Sequence, residues 1–172
     1  MKILVTGAAG FIGSHLCEEL VKDNNNTVYS LDNYSTGSKD NHIPKVSYLE
    51  GETSQIDKLV DFIPDVIYHL GEYSRVEQSF DDIEKVWRYN KDGIFSVLEF
   101  CRKKGSKLVY AGSSTKFGDG GLEGVKVLML GRRLPILNLL KIMVNGLVSL
   151  TLLFIFIMSM VVGRFLLVNM RH

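Results

Sequence analysis

A strand, a glycine turn and a helix follow one another at the start of this chain, and that order narrows what it can become. Lys2 to Thr6 is a short, apolar and largely β-branched run. A glycine turn with Gly7, Gly10 and Gly13 comes next, running into a helical pattern from Phe11 to Lys22 that sets Ile12, Leu16 and Leu20 on one face. Between a strand and a helix each glycine has its own use. Gly7 allows a tight turn, Gly10 lets the backbone approach a phosphate, and Gly13 permits close packing of helix on strand. The unpaired N–H groups at the helix start favour an anion such as a pyrophosphate. The next apolar run, Thr27 to Leu31, ends in Asp32. That position, about 20 residues beyond the glycines, suits an acceptor for ribose hydroxyls. A carboxylate there opposes a 2′-phosphate, and Asn33, Tyr34 and Ser35 add no cation, so NAD is expected rather than NADP. Lys39, further along the same loop, argues the other way.

The alternation continues along the chain. A polar loop, Asn33 to Lys45, leads to an apolar run from Val46 to Leu49, a helix around Gln55 to Ile63, and a central strand from Asp65 to Leu70. A long helix follows, Ile83 to Lys104, whose basic end before Gly105 suits a helix C-terminus. Lys107 to Ala111 is a further strand. Parallel neighbours need crossovers, so strands alternating with helices at this spacing predict a doubly wound α/β domain with a parallel sheet.

Composition removes several function classes. Lys+Arg 20 against Asp+Glu 19 leaves a formal net charge of +1, so there is no basic footprint for nucleic acid. Cys17 and Cys101 both fall within predicted helices, which points to core thiols and a reducing cytosol rather than a disulfide framework. His15 and His69 have no second ligand at metal spacing and read as structural, so no metal is expected. No secretory signal pattern opens the sequence, and a cytoplasmic location is expected. Tyr73, Arg75 and Glu77 follow a strand end, where a contact to cofactor or substrate and a solvated loop are both reasonable.

The motifs resemble one family. Thr6 to Leu16 reads Thr-Gly-Ala-Ala-Gly-Phe-Ile-Gly-Ser-His-Leu, which resembles the opening of the extended short-chain dehydrogenase/reductases; Leu31-Asp32-Asn33 resembles the nucleotide-sugar epimerases among them, the UDP-glucose 4-epimerase-like enzymes. Asp65 to Gly71 is similar to the family's central cofactor-lining strand, Asn90 to Gly93 to its N-x-x-G element, and Ala111 to Gly118 to its S-S-S-x-x-x-Y-G strand end. The resemblance covers about Met1 to Leu122 and implies a Rossmann-like domain. It implies that Gly7, Gly10, Phe11, Ile12 and Gly13 hold the pyrophosphate of NAD, and that Asp32 and Asn33 meet the adenosine ribose. It further implies that Leu70, Gly71 and Asn90 line the cofactor, and that Ser113 is the catalytic serine on the reacting sugar hydroxyl. Glu52-Thr53 and Gly71-Glu72 depart from the family's usual residues. Ser114-Thr115 stands where its sugar dehydratases carry Asp-Glu, which favours epimerisation over dehydration.

After Leu122 the sequence changes character. The resemblance calls for a Tyr-x-x-x-Lys pair beyond the serine, in which the lysine charge lowers the tyrosine pKa for proton transfer. No tyrosine follows Tyr110. Leu134 to Val168 is almost wholly apolar, and Ile142 to Gly163 is free of charge and long enough to span a bilayer. A shifted reading frame accounts for more. Written as GTC CTT ATG CTT GGA CGA AGG, Val127 to Arg133 yields Pro-Tyr-Ala-Trp-Thr-Lys when each third base joins the next two. Ile157 to Val161, written as ATA ATG TCT ATG GTN, yields Asn-Val-Tyr-Gly in the same frame. Two domains are therefore expected: residues 1–122, the N-terminal part of an incomplete NAD-binding domain, and 123–172, an apolar tail from a frameshift near Leu122 or else a transmembrane helix at 142–163.

Three functions follow as expectations. The first is the cofactor-binding part of an NAD-dependent nucleotide-sugar epimerase, truncated at its C-terminal side and inactive as written. The second is a membrane-anchored, non-catalytic dinucleotide-binding module, and the third a nucleotide-sugar dehydrogenase or reductase. For an intact relative the resemblance implies a nucleotide-sugar substrate and a homodimer.

Overall fold

The computed structural model describes residues 1–75 and 77–111. Five strands, β1 (Lys2–Thr6), β2 (Thr27–Asp32), β3 (Val46–Glu50), β4 (Val66–His69) and β5 (Lys107–Tyr110), form one sheet. Its order is β3-β2-β1-β4-β5 and every pairing is parallel. The helices are α1 (Phe11–Leu20), α2 (Ile56–Leu59), α3 (Ile83–Trp87) and α4 (Gly93–Lys104). The doubly wound, Rossmann-like expectation holds for these residues. The tail at 123–172, with its possible transmembrane helix at 142–163, lies outside the described residues, as does Ser113. Among the described residues no helix is long and apolar enough to cross a membrane.

β1, β2 and β4 bury side chains on both faces, because successive side chains point to opposite sides, whereas the edge strand β3 has no fully buried residue. Leu4, Leu31, Ile67 and Leu108 pack against Ile56, Ile94, Val97, Leu98 and Cys101 on one side of the sheet. Ile3, Val5, Val28 and Val66 pack against Ala8, Cys17, Leu16 and Leu20 on the other. Two layers of helix are thus demanded by one alternating pattern. Burial pushes the Cys17 and Cys101 thiols up to about 12, as befits core thiols. Among the described residues no cluster of potential metal ligands forms.

Two helices differ from the sequence expectation. The helix expected at Gln55 to Ile63 is a 3-10 turn, Thr53–Gln55, followed by α2 alone, and Val60 is already extended. Pro64 bars the helical region only to Ile63, the residue before it, and the chain has already left the helix at Val60, four residues ahead of the proline. The long helix at Ile83 to Lys104 is interrupted by a π-helical turn, Arg88–Asp92, between α3 and α4. Gly105 does close α4 as expected, at φ 70 with its N–H on the Cys101 carbonyl at 2.8 Å.

Candidate functional site

The chain runs from β1 to β2 on one side and returns after β3 to lay β4 on the other side of β1. Strand order therefore reverses between β1 and β4, and the crevice beyond their C-terminal ends is where such sheets bind ligands. Two turns meet there: the glycine turn after Thr6, and Leu70-Gly71 after β4.

Their contact is close. Gly7 has φ 73, and a Cβ on it would stand 2.8 Å from the Gly71 Cα. A Cβ on Gly13 would run into the Gly7 carbonyl, so α1 can approach the turn only with glycine there. Gly10 caps α1 without a side chain, and the first turn of α1 carries no acidic residue. The opening N–H groups of Phe11, Ile12 and Gly13 thus lie at a helix start whose first turn carries no anionic side chain of its own.

Thr6 joins the two turns. Its hydroxyl accepts from the Leu70 N–H at 3.2 Å and the Gly71 N–H at 3.1 Å, and lies 2.7 Å from His69 Nδ1. With both lone pairs taken, the hydroxyl proton points to Nδ1, which makes His69 the Nε2–H tautomer. His69 is fully buried, and burial holds its pKa down to about 4. It is a neutral structural group, as expected, but its Nε2 has no partner among the described residues.

Asp32 closes the ribose side. Its Oδ2 accepts from the Ala9 N–H at 2.8 Å and its Oδ1 from the Tyr34 N–H at 2.9 Å. At 7% exposure it is buried, yet it ends β2 beside the glycine turn. Asn33 uses its Oδ1 to accept from the Ser35 N–H at 3.0 Å, bending the chain away from β2. The loop beyond is clipped back onto the turn, because the Ala9 carbonyl accepts from Ser38 N–H at 3.1 Å and from Asn41 Nδ2 at 2.8 Å.

Asn90 lies in the π-helical turn and grips the loop after Gly71. The Tyr73 N–H donates to its Oδ1 at 2.6 Å and its Nδ2 donates to the Tyr73 carbonyl at 2.9 Å. Both ends of the amide are thus spent on one backbone unit. Tyr73 itself is buried and donates its hydroxyl to Asp82 at 2.9 Å, so the solvated-loop alternative does not describe it. Glu52, one of the departures from the family pattern, pairs with Arg88 of the same turn at 2.9 Å.

The structure therefore brings Gly7, Gly10, Gly13, Phe11, Ile12, Asp32, Asn33, Leu70 and Gly71 to one end of the sheet, with Asn90 bracing the loop beside them. Reading the sequence missed Thr6, Ala9, Ser38 and Asn41. Their roles run through hydrogen bonds between segments distant in sequence, which no local pattern signals.

Comparison with known proteins agrees with this geometry. The model of the "NAD dependent epimerase/dehydratase family" matches residues 3–128. The chain belongs to the NAD-dependent epimerase/dehydratase family. Among its relatives are UDP-glucuronic acid decarboxylase 6 of Arabidopsis thaliana, 34% identical over 122 residues (69% of this chain, 35% of the relative). UDP-glucose 4-epimerase of Lactobacillus helveticus is 35% identical over 123 residues (69% and 37%). The UDP-glucose 4-epimerase of Thermus thermophilus, solved with NAD, superposes with a TM-score of 0.72 at 25% identity, covering 87% of this chain and 53% of that one. A UDP-galactose 4-epimerase structure gives 0.63 at 32% identity, covering 71% and 41%. The chain spans little more than a third of the length of the curated relatives it matches.

NAD is the cofactor of this family, and the residues present fit it. The glycines leave a cradle that a Cβ would fill, and a buried acceptor stands at the ribose end.

Proposed function

We propose that this chain is the NAD-binding part of a nucleotide-sugar epimerase. The observation that carries the reading is the switch-point cradle, in which Gly7 and Gly71 touch while Asp32 holds Ala9 and Tyr34. In this reading the N–H groups at the start of α1 bind the pyrophosphate, and the remaining lone pairs of Asp32 take the ribose hydroxyls. Leu70, Gly71 and the Asn90-braced loop form the wall toward the reacting end. NAD, when bound, supplies the acceptor for a hydride from a sugar carbinol carbon and its return to the opposite face. By resemblance to the family's motif, Ser113 is the serine that hydrogen-bonds the reacting sugar hydroxyl.

The chain as written lacks the Tyr-x-x-x-Lys pair, so it has no group to take the hydroxyl proton and is inactive in turnover. A single-nucleotide shift near Leu122 restores that pair, with 123–172 as out-of-frame translation. The intact relative is a cytoplasmic homodimer acting on a nucleotide sugar.

A second reading is favoured by the decarboxylases among the relatives. Oxidising the carbinol carbon β to a sugar carboxylate gives a β-keto acid, which loses carbon dioxide readily, so the same hydride step serves both chemistries. The deciding experiment is to sequence the coding region beyond the Gly118 codon and to express the frame-restored chain beside the present one. The expected result is an open shifted frame, NAD binding by both chains, and conversion of UDP-glucose to UDP-galactose by the restored chain alone. Turnover by the present chain, or a shifted frame without the pair, refutes it; release of carbon dioxide from UDP-glucuronic acid selects the second reading.

A further inference from the structure

We propose that Glu50 is a specificity-determining residue, which by engaging Lys39 keeps the ribose-side rim of the cleft anionic and disfavours the 2′-phosphorylated cofactor. The inference rests on the NAD-binding reading above. Asp32 and Glu50 end neighbouring strands in register, so two carboxylates stand side by side at the C-terminal edge of β2 and β3. Lys39 begins a short 3-10 turn, Lys39–Asn41, in the loop that follows Asp32.

The placement of that turn is fixed. Ser38, just before it, and Asn41, its last residue, both donate to the Ala9 carbonyl of the glycine turn, at 3.1 and 2.8 Å. A Cβ on Gly37 would stand 2.9 Å from the same carbonyl, so the loop lies flat on the phosphate-binding turn. Lys39 is therefore delivered to the side of the cleft where a ribose 2′-phosphate would arrive. It is already engaged there, with Nζ 3.1 Å from Glu50 Oε2 and 5.2 Å from the centre of the Tyr34 ring. Asp40 adds a further carboxylate to the same turn, bonded to the Ser38 hydroxyl at 2.9 Å.

The cation that could receive a 2′-phosphate is thus balanced by Glu50, and Asp32 and Asp40 leave the rim negative. The Lys39 and Glu50 side chains are 67% and 66% exposed, so water screens their charges and the effect is modest and salt-dependent.

The test is calorimetric titration of the full chain with NAD and with NADP at low ionic strength. In Glu50→Gln the ratio of Kd for NADP to Kd for NAD is expected to fall by about three- to tenfold, and in Lys39→Met to rise, both changes shrinking in high salt. A ratio unmoved in either variant overturns the proposal while NAD binding stands. A parent chain that binds no NAD refutes the cofactor reading itself, and this proposal with it.

Discussion

His69 should make this domain acid-sensitive above the range in which carboxylates titrate. Burial holds its folded pKa at about 4, below the ordinary value of 6.5, so between those values the unfolded chain binds a proton that the folded one refuses. The stability tied to neutral His69 is complete above pH 6.5 and is lost as the pH falls toward 4. The whole gap is worth about 3 kcal/mol, of which about 2 kcal/mol disappears between pH 7 and pH 5. Geometry adds a cause, since a proton on Nδ1 would face the Thr6 oxygen, whose lone pairs already serve Leu70 and Gly71. The assay is urea unfolding followed by far-UV circular dichroism at pH 7 and pH 5, for the parent and for His69→Gln, each referred to its own stability at pH 7. The parent should lose about 2 kcal/mol more than the variant. Equal losses would refute the assignment of a neutral, buried His69 bonded to Thr6.

Gly7→Ala and Gly105→Ala should differ although both residues have positive φ, 73 and 70. Only Gly7 faces another backbone, at 2.8 Å from Gly71, whereas Gly105 has nothing within 4 Å. We expect about 1 kcal/mol for Gly105→Ala and at least about 2 kcal/mol for Gly7→Ala, read as urea midpoints; equal costs would show that the two turns do not touch. With both thiols pushed up to about 12, Cys17 and Cys101 should resist a disulfide reagent at pH 8 until urea unfolds the chain. Rapid labelling of the folded chain would place at least one of them outside the core.

Local sequence determined the strands, the glycine turn and the position of Asp32, because each depends on neighbouring residues. An apolar alternation fixes a strand, and a glycine fixes where φ turns positive. Pro64 marks only that a helix cannot include Ile63, not that α2 stops at Leu59, and the π-helical turn has no marker in sequence; it coincides with Asn90 reaching across to Tyr73. Tertiary structure alone decided that β4 lies beside β1, that Thr6 ties Leu70 and Gly71 to the glycine turn, and that Lys39 meets Glu50. These are contacts between segments joined only by the strand order, so they exist once the crossovers have packed the helices onto both faces of the sheet.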